Sequence, residues 1–133
     1  HPSPLLPEYI VNNRPTDNVI VLGDFNNVGE QSSLNPAISP FVDINNYDYA
    51  ANFKMMDLSI LTGSENQYSW QGWTSSYGPA HLDHIIITKP LFSFSDNSII
   101  GVINTPKETE LSSTNVSNTI SDHQPVFFSF TID

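Results

Sequence analysis

Short apolar runs bounded by polar or turn-forming residues dominate the hydrophobic pattern of this chain. Runs of this length that are rich in β-branched or aromatic side chains are typical of strands rather than helices. Three of them predict strands, over residues 19–23, 82–88 and 125–132. A further strand is predicted over 99–104, and residues 68–70 form a short aromatic segment of strand-like character.

Helical patterns are weaker, and the polar segments are long. The first 18 residues contain four prolines, so residues 5–11 are expected to form no more than one or two helical turns. The best candidate helix covers residues 49–61, although its apolar positions fit a helical period only in part. Residues 27–40 and 106–119 are predicted loops. Four apolar side chains in and just after the end of the first loop are expected to enter the core: Ile38, Phe41, Val42 and Ile44.

These elements predict a single domain over residues 1–133, because the sequence has no internal repeat and no linker that would divide it. The predicted fold class is α/β in the broad sense and α+β in detail, with a mixed, mainly antiparallel β-sheet and few helices. A chain of 133 residues is long enough to bury one modest hydrophobic core.

The composition narrows the classes of function. Fourteen acidic and four basic residues give a net charge of −10, which argues against broad electrostatic binding of nucleic acid. A divalent cation could supply positive charge at one point. The absence of cysteine excludes thiolate metal sites, and no apolar run approaches the roughly 18 residues of a membrane span. The cellular compartment is not determined.

Each of the three predicted strands carries an aspartate at one end. Asp24 follows the first strand, Asp83 lies at the start of the second, and Asp122 precedes the third. If the later two strands run antiparallel to the first, all three carboxylates reach the same edge of the sheet. Taken singly, each acid is also explained by ordinary turn chemistry, so the interpretation depends on their joint occurrence.

Three neighbouring carboxylates repel one another, and a bound cation, a proton or a cationic histidine relieves that repulsion. A hard divalent ion with carboxylate and water ligands suits aspartate. Such an ion beside an imidazole, here that of His123, fits the hydrolysis of a phosphate ester, because both stabilise the charge that develops on the phosphoryl group.

Four segments together resemble a known family. They are residues 20–26 (IVLGDFN), 68–70 (YSW), 81–85 (HLDHI) and 121–126 (SDHQPV). Their order and wide spacing are similar to those of the C-terminal half of the endonuclease/exonuclease/phosphatase superfamily, which has the deoxyribonuclease-I-like fold. The resemblance covers roughly residues 15–133 and implies one half of a four-layer α/β sandwich.

The resemblance implies a magnesium-dependent phosphodiester or phosphomonoester hydrolase, with Mn²⁺ or Ca²⁺ as alternative ions. Asp24 would orient or deprotonate the attacking water, or help to protonate the leaving group. Asn26 would hold a phosphate oxygen, and Asp122 would bind the metal directly or through water. His123 would contact the scissile phosphate, and Asp83 would hydrogen-bond His123 and favour its protonated form.

The resemblance also implies that part of the domain is missing. The N-terminal half of the family fold normally supplies an asparagine and a glutamate to the metal site, together with a further acid–histidine pair. We therefore expect a partial domain whose other half lies in the parent chain or in another chain. A lone half would expose a sheet face, bind magnesium weakly and lack activity by itself.

Several side chains near the motifs leave alternatives open. His81 and His84 flank Asp83 and are interpreted as structural residues that point to the opposite face from it. Trp73 and Tyr77 lie on a Ser/Gly-rich loop and are candidates for stacking on a base or sugar of the substrate.

Three functions follow, of which nuclease-type hydrolysis of a phosphodiester, most simply in nucleic acid, is the leading one. A lipid or inositol-phosphate phosphoesterase of the same fold is the second. Within that class, Phe25 in the first motif argues against a sphingomyelinase. The third is an inactive half-domain that serves as a structural or binding module.

Overall fold

The structure is a computed structural model that describes residues 5–27 and 35–132. It combines short helices with two antiparallel sheets, which confirms the predicted α+β class. Residues 28–34, part of the predicted 27–40 loop, lie outside the described residues. Neither described range contains a helix that is both long and apolar enough to cross a membrane.

The first sheet has three strands, β1 (Ile20–Asp24), β2 (Phe53–Met55) and β3 (Asp83–Thr88). Their order is β1-β3-β2, and both neighbours run antiparallel to β3. β3 lies in the middle because its run of β-branched isoleucines suits a strand that is covered by neighbouring structure. The predicted strands over 19–23 and 82–88 are both present.

The second sheet pairs β4 (Ile99–Val102) with β5 (Val126–Ser129) in antiparallel register. Both strands are shorter than the runs that predict them, 99–104 and 125–132. The aromatic segment 68–70 contributes no full strand, but Trp70 forms isolated β-bridges with Ala80 and His123.

Five α-helices and three 3-10 helices connect the strands in the described ranges. The α-helices are α1 (Leu5–Asn13), α2 (Ser39–Val42), α3 (Leu58–Leu61), α4 (Thr105–Thr109) and α5 (Ser113–Thr119). The 3-10 helices are Ala50–Asn52, Glu65–Gln67 and Lys89–Phe94.

One hydrophobic cluster joins α1, α2 and α3 to the first sheet. It consists of Ile10, Ile38, Phe41, Phe53, Met55, Leu61 and Ile86. Ile38 and Phe41 enter the core as predicted, and Val42 packs against it. Ile44 is exposed, so the prediction for that residue is wrong. It follows the end of α2, in the polar turn that leads away from the core.

The prediction of one continuous helix over 49–61 is wrong, because a strand interrupts it. Phe53 and Met55 are buried on either side of the exposed Lys54, an alternation that suits a strand beside β3. Residues 58–61 form an α-helix, and residues 50–52 form a 3-10 helix. Tertiary pairing with β3 therefore overrides a weak helical pattern.

The prediction of a loop over 106–119 is also wrong, because α4 and α5 occupy most of it. Side-chain caps explain both helices. The Lys107 N–H donates to Asn104 Oδ1 at 3.1 Å, and the Asn115 N–H donates to Ser112 Oγ at 3.3 Å. Each cap satisfies a backbone donor that the first helical turn leaves unpaired.

β1 is less buried than its sequence predicts. It pairs with β3 along one edge, and among the described residues no strand pairs with its other edge. Val21 packs against the core, whereas the side chain of Leu22 is 69 % exposed. The aliphatic run predicts a strand correctly, but nothing in the described structure covers its second face.

The difference between covered and open strand positions gives a stability test. Ile86 on β3 is fully buried, so Ile86→Ala should lower the free energy of unfolding by about 2–5 kcal/mol through lost burial and a residual cavity. Ile99 on β4 is largely exposed, and Ile99→Ala should change it by less than about 0.5 kcal/mol. Urea unfolding of both variants measures the two free energies. Equal losses of stability would contradict the burial of Ile86 and the exposure of Ile99.

Candidate functional site

Asp24 and Asp83 lie opposite each other at one end of the first sheet. They are the last paired residues of the β1–β3 ladder, which continues one step further through a Phe25 N–H that donates to Leu82 O at 2.8 Å. The antiparallel pairing expected from the sequence is therefore confirmed for these two strands. It brings two of the three predicted acids to the same sheet edge.

Asn26 follows Asp24 in a tight turn. The Asn26 backbone N–H donates to Asp24 Oδ1 at 2.7 Å, and Asn26 has a φ of 49°, in the left-handed region that asparagine tolerates better than most residues. The turn thus orients one carboxylate oxygen of Asp24 toward its own backbone. Both side chains are exposed and accessible to a ligand.

His123 pairs with Asp83. The ring Nδ1 lies 2.6 Å from Asp83 Oδ2, and the two side chains are 26 % and 25 % exposed. The contact that the resemblance implies is therefore present. When Nδ1–H donates to the carboxylate, the ring orientation is fixed and Nε2 remains available to a ligand. The catalytic roles of both residues remain predictions.

Asp122 lies near the Asp83–His123 pair, but not through the strand pairing that the sequence suggests. β5 pairs with β4 rather than with β1 or β3, so the third acid is not part of the first sheet. Instead, the Trp70 indole N–H donates to Asp122 Oδ2 at 3.3 Å, and Trp70 forms a β-bridge with His123. A cleft of about 180 Å³ beside Asp83 is lined in part by Val126, at the start of β5.

Trp73 and Tyr77 lie on the loop between Trp70 and Ala80. The backbones of Trp70 and Ala80 pair with each other, so this loop begins and ends next to the segment that bridges to His123. Tyr77 is exposed and Trp73 is half-buried. Their position is compatible with substrate contact, which remains a prediction.

A second cluster, buried behind β3, was not anticipated. The ring nitrogens His81 Nε2 and His84 Nδ1 lie 2.9 Å and 2.6 Å from Asp57 Oδ2, and the Ile85 N–H donates to Asp57 Oδ1 at 2.8 Å. All three titratable side chains have at most 1 % of their surface exposed. We call Asp57, His81 and His84 the buried triad.

Sequence reasoning missed Asp57 because it falls inside the segment that resembles a helix. An aspartate just before a short helix also looks like an ordinary cap, yet its side chain makes no capping hydrogen bond. His81 and His84 are interpreted as structural residues in the sequence, and the structure places both in this buried network. Only the fold reveals that they share one carboxylate.

Hydrogen bonds control the charge of Asp57. Burial by itself raises the pKa of this carboxyl, but hydrogen bonds from His81 and His84 outweigh burial and lower the pKa from 3.8 to about 2. Asp57 is therefore ionised at neutral pH although it is buried.

The buried triad could hold a metal ion, since one ligand atom from each residue lies within 4.8 Å of the others. Imidazole and carboxylate donors suit several divalent metals, so this donor set does not select one. The Ser69 backbone N–H donates to His81 Nδ1 at 3.1 Å, so the proton of a neutral His81 lies on Nε2 and points at Asp57. A metal ion at Nε2 would have to displace that proton.

The acids at the sheet edge create a need for positive charge. Two cations of the described chain are occupied elsewhere, because Arg14 pairs with Asp17 at 3.3 Å and Lys54 Nζ donates to Ser95 Oγ at 2.6 Å. An anionic ligand near Asp24 and Asp83 would meet repulsion unless a cation or a protonated His123 offset it.

Comparisons with known proteins find no relative of this chain. No protein-family model matches the chain, and neither curated proteins nor solved structures give a match. The resemblance to the endonuclease/exonuclease/phosphatase superfamily therefore stays a prediction from the four motifs.

The pKa of Asp57 gives a prediction for stability against pH. A depressed carboxyl pKa stabilises the folded state fully above about pH 4, and this contribution disappears as the pH falls toward about 2. We expect the carboxylate to contribute about 2 kcal/mol at neutral pH. Urea unfolding between pH 6 and pH 2 should therefore show a shallower loss of stability for Asp57→Asn than for the wild type.

The matched control is Asp96→Asn, which removes an exposed carboxylate. This variant should keep the pH dependence of the wild type. An unaltered acid slope in Asp57→Asn would contradict the role assigned to the two histidines.

Proposed function

We propose that this chain belongs to a metal-dependent phosphoesterase, of the nuclease type, that hydrolyses phosphodiesters. The observation that carries the proposal is the hydrogen bond between Asp83 and His123 at the sheet edge where Asp24 also lies. An acid–imidazole pair next to a second, exposed acid is a suitable arrangement for general acid–base chemistry on a phosphate ester.

In the proposed reaction, His123 donates from Nε2 to a non-bridging phosphate oxygen, where negative charge develops. Asp83 holds the ring through Nδ1 and so keeps Nε2 in one orientation. Asp24 orients or deprotonates water, or assists the leaving group, and Asn26 holds a second phosphate oxygen. The side chains of the Asp83–His123 pair are about one quarter exposed, which allows a ligand to reach Nε2.

Magnesium is the proposed metal, with Mn²⁺ or Ca²⁺ as alternatives, and Asp122 is the proposed ligand from this chain. A hard divalent cation would neutralise phosphoryl charge and so reduce the repulsion from the acids at the sheet edge. The indole N–H of Trp70 accounts for one oxygen of Asp122, which leaves the other oxygen for an ion or its water.

The proposed partner of the chain is a second half-domain. Leu22 on β1 is largely exposed, and the neighbouring Ile20 and the α1 residues Leu6 and Tyr9 are exposed as well. These four residues line one open surface depression, and an exposed apolar surface of this kind supports a packing partner. The same surface supports the second candidate function, in which the chain is an inactive half-domain that acts as a binding module.

Substitution of the proposed site residues tests the function. Because the proposal includes a second half-domain, the assay uses the full-length protein that contains this chain. Magnesium-dependent nicking of plasmid DNA should fall by at least about 100-fold in both Asp122→Ala and His123→Ala, because each removes charge stabilisation at the phosphate. Asp96→Ala, which removes an exposed acid elsewhere, serves as the control and should keep wild-type activity.

Parallel assays distinguish the substrate classes. Cleavage of a lipid or inositol phosphate, without cleavage of plasmid or a chromogenic phosphodiester, would favour the second phosphoesterase class over a nuclease. Unchanged activity in both site variants would exclude the proposed site, and an inactive but folded protein would favour the binding module.

Magnesium binding by this chain alone is a separate prediction. We expect isothermal calorimetry to show no tight, stoichiometric Mg²⁺ binding, because Asp122 would need further ligands from the second half-domain. Tight binding that disappears in Asp122→Ala would contradict the incomplete metal site.

A further inference from the structure

Ser69 lies between the two segments that carry Asp83 and His123. Its side chain is fully buried, and no part of it faces the cleft beside Asp83. Its backbone and its hydroxyl group nevertheless contact both segments. This makes Ser69 the connection between two residues that are 40 positions apart in the sequence.

The hydroxyl of Ser69 holds the segment of Asp83. Ser69 Oγ accepts hydrogen bonds from the backbone N–H groups of Leu82 and Asp83, both at 3.1 Å. Leu82 precedes β3 and Asp83 is its first residue, and the backbone N–H groups of both donate to this one side-chain oxygen rather than to a neighbouring strand. The hydroxyl thus fixes the backbone from which the Asp83 carboxylate projects.

The carbonyl group of Ser69 holds the segment of His123. Ser69 O accepts the Gln124 N–H at 2.6 Å, one residue after the imidazole. Trp70, the next residue along the chain, extends the contact through its β-bridge with His123 and its indole bond to Asp122.

The backbone N–H of Ser69 hydrogen-bonds the buried triad. It donates to His81 Nδ1 at 3.1 Å, and His81 Nε2 in turn hydrogen-bonds Asp57. Because all these groups are buried, a shift of Ser69 would leave several polar groups unpaired. Ser69 therefore has little freedom to move relative to β3.

We infer that Ser69 is a positioning residue that sets the geometry between Asp83 and His123 through its hydroxyl group. The expected effect of Ser69 on catalysis rests on the proposed function. The expected effect of Ser69 on the Asp83–His123 hydrogen bond is independent of that function. In Ser69→Ala the N–H groups of Leu82 and Asp83 lose their acceptor, so the Asp83 backbone can move away from the imidazole. Small misplacements of catalytic groups cost large factors in rate.

The first measurement is kinetic and uses the full-length protein. We expect Ser69→Ala to lower kcat about 10- to 100-fold while KM changes by less than about threefold, because substrate contacts stay in place. Ser69→Thr keeps the Oγ acceptor and should recover most of the lost kcat. If Ser69→Ala does not fold, Ser69→Cys, which has a similar shape but a weak acceptor, replaces it.

Ser95→Ala is the matched control, since Ser95 is also a buried serine with two side-chain hydrogen bonds. Its Oγ accepts from Lys54 Nζ at 2.6 Å and donates to Phe92 O at 2.7 Å, away from the Asp83–His123 pair. This variant should lose thermal stability yet keep the wild-type kcat. An equal fall in kcat for Ser95→Ala would show that lost stability explains both variants and would overturn the inference.

The second measurement does not require activity. With ¹⁵N-labelled histidine, the wild type should show a downfield proton on His123 Nδ1, assigned by its loss in Asp83→Ala. We expect folded Ser69→Ala to lose or shift this signal, and Ser95→Ala to retain it. An unaltered signal in Ser69→Ala overturns the positioning role. A lost signal in a protein without phosphoesterase activity supports that role and overturns the proposed function instead.

Discussion

The structure depends on one buried carboxylate that is fully paired. Asp57 accepts hydrogen bonds from two imidazoles and one backbone N–H, and it is ionised although water does not reach it. A buried charge without partners would cost several kcal/mol. The start of α3 and the beginning of β3 must therefore stay in contact, because among the described residues His81, His84 and Ile85 provide the hydrogen bonds to Asp57.

This constraint divides β3 into two sides with different tasks. On one side the His84 side chain points inward to the Asp57 carboxylate. On the other side the Asp83 side chain pairs with the partly exposed imidazole of His123. A rigid, dry network behind an accessible acid–imidazole pair is the arrangement by which proteins hold a reactive side chain in one orientation. The Asp83–His123 pair therefore lies next to a hydrogen-bond network that is closed to solvent.

The same geometry explains why a cation belongs to the proposed function. The fold gathers acids at a sheet edge in a chain with a net charge of −10, and it offers His123 as the neighbouring imidazole. A phosphate would be repelled by that field unless a divalent ion reversed it. The exposed apolar face of β1 fits this requirement, since a second half-domain packed there could complete the ion's ligands.

The sequence by itself determined β1, β3, β4 and β5, because aliphatic and aromatic runs are local signals. The pairing of Asp83 with His123 was expected from the resemblance to a known family, since the two residues lie 40 positions apart. The sequence predicted the helix over 49–61 and the loop over 106–119 wrongly, because pairing with β3 and side-chain caps decided those segments. Only the tertiary structure identified Asp57 and Ser69 as the residues behind the site. Their partners lie 12 to 55 positions away, and no local pattern encodes such hydrogen bonds.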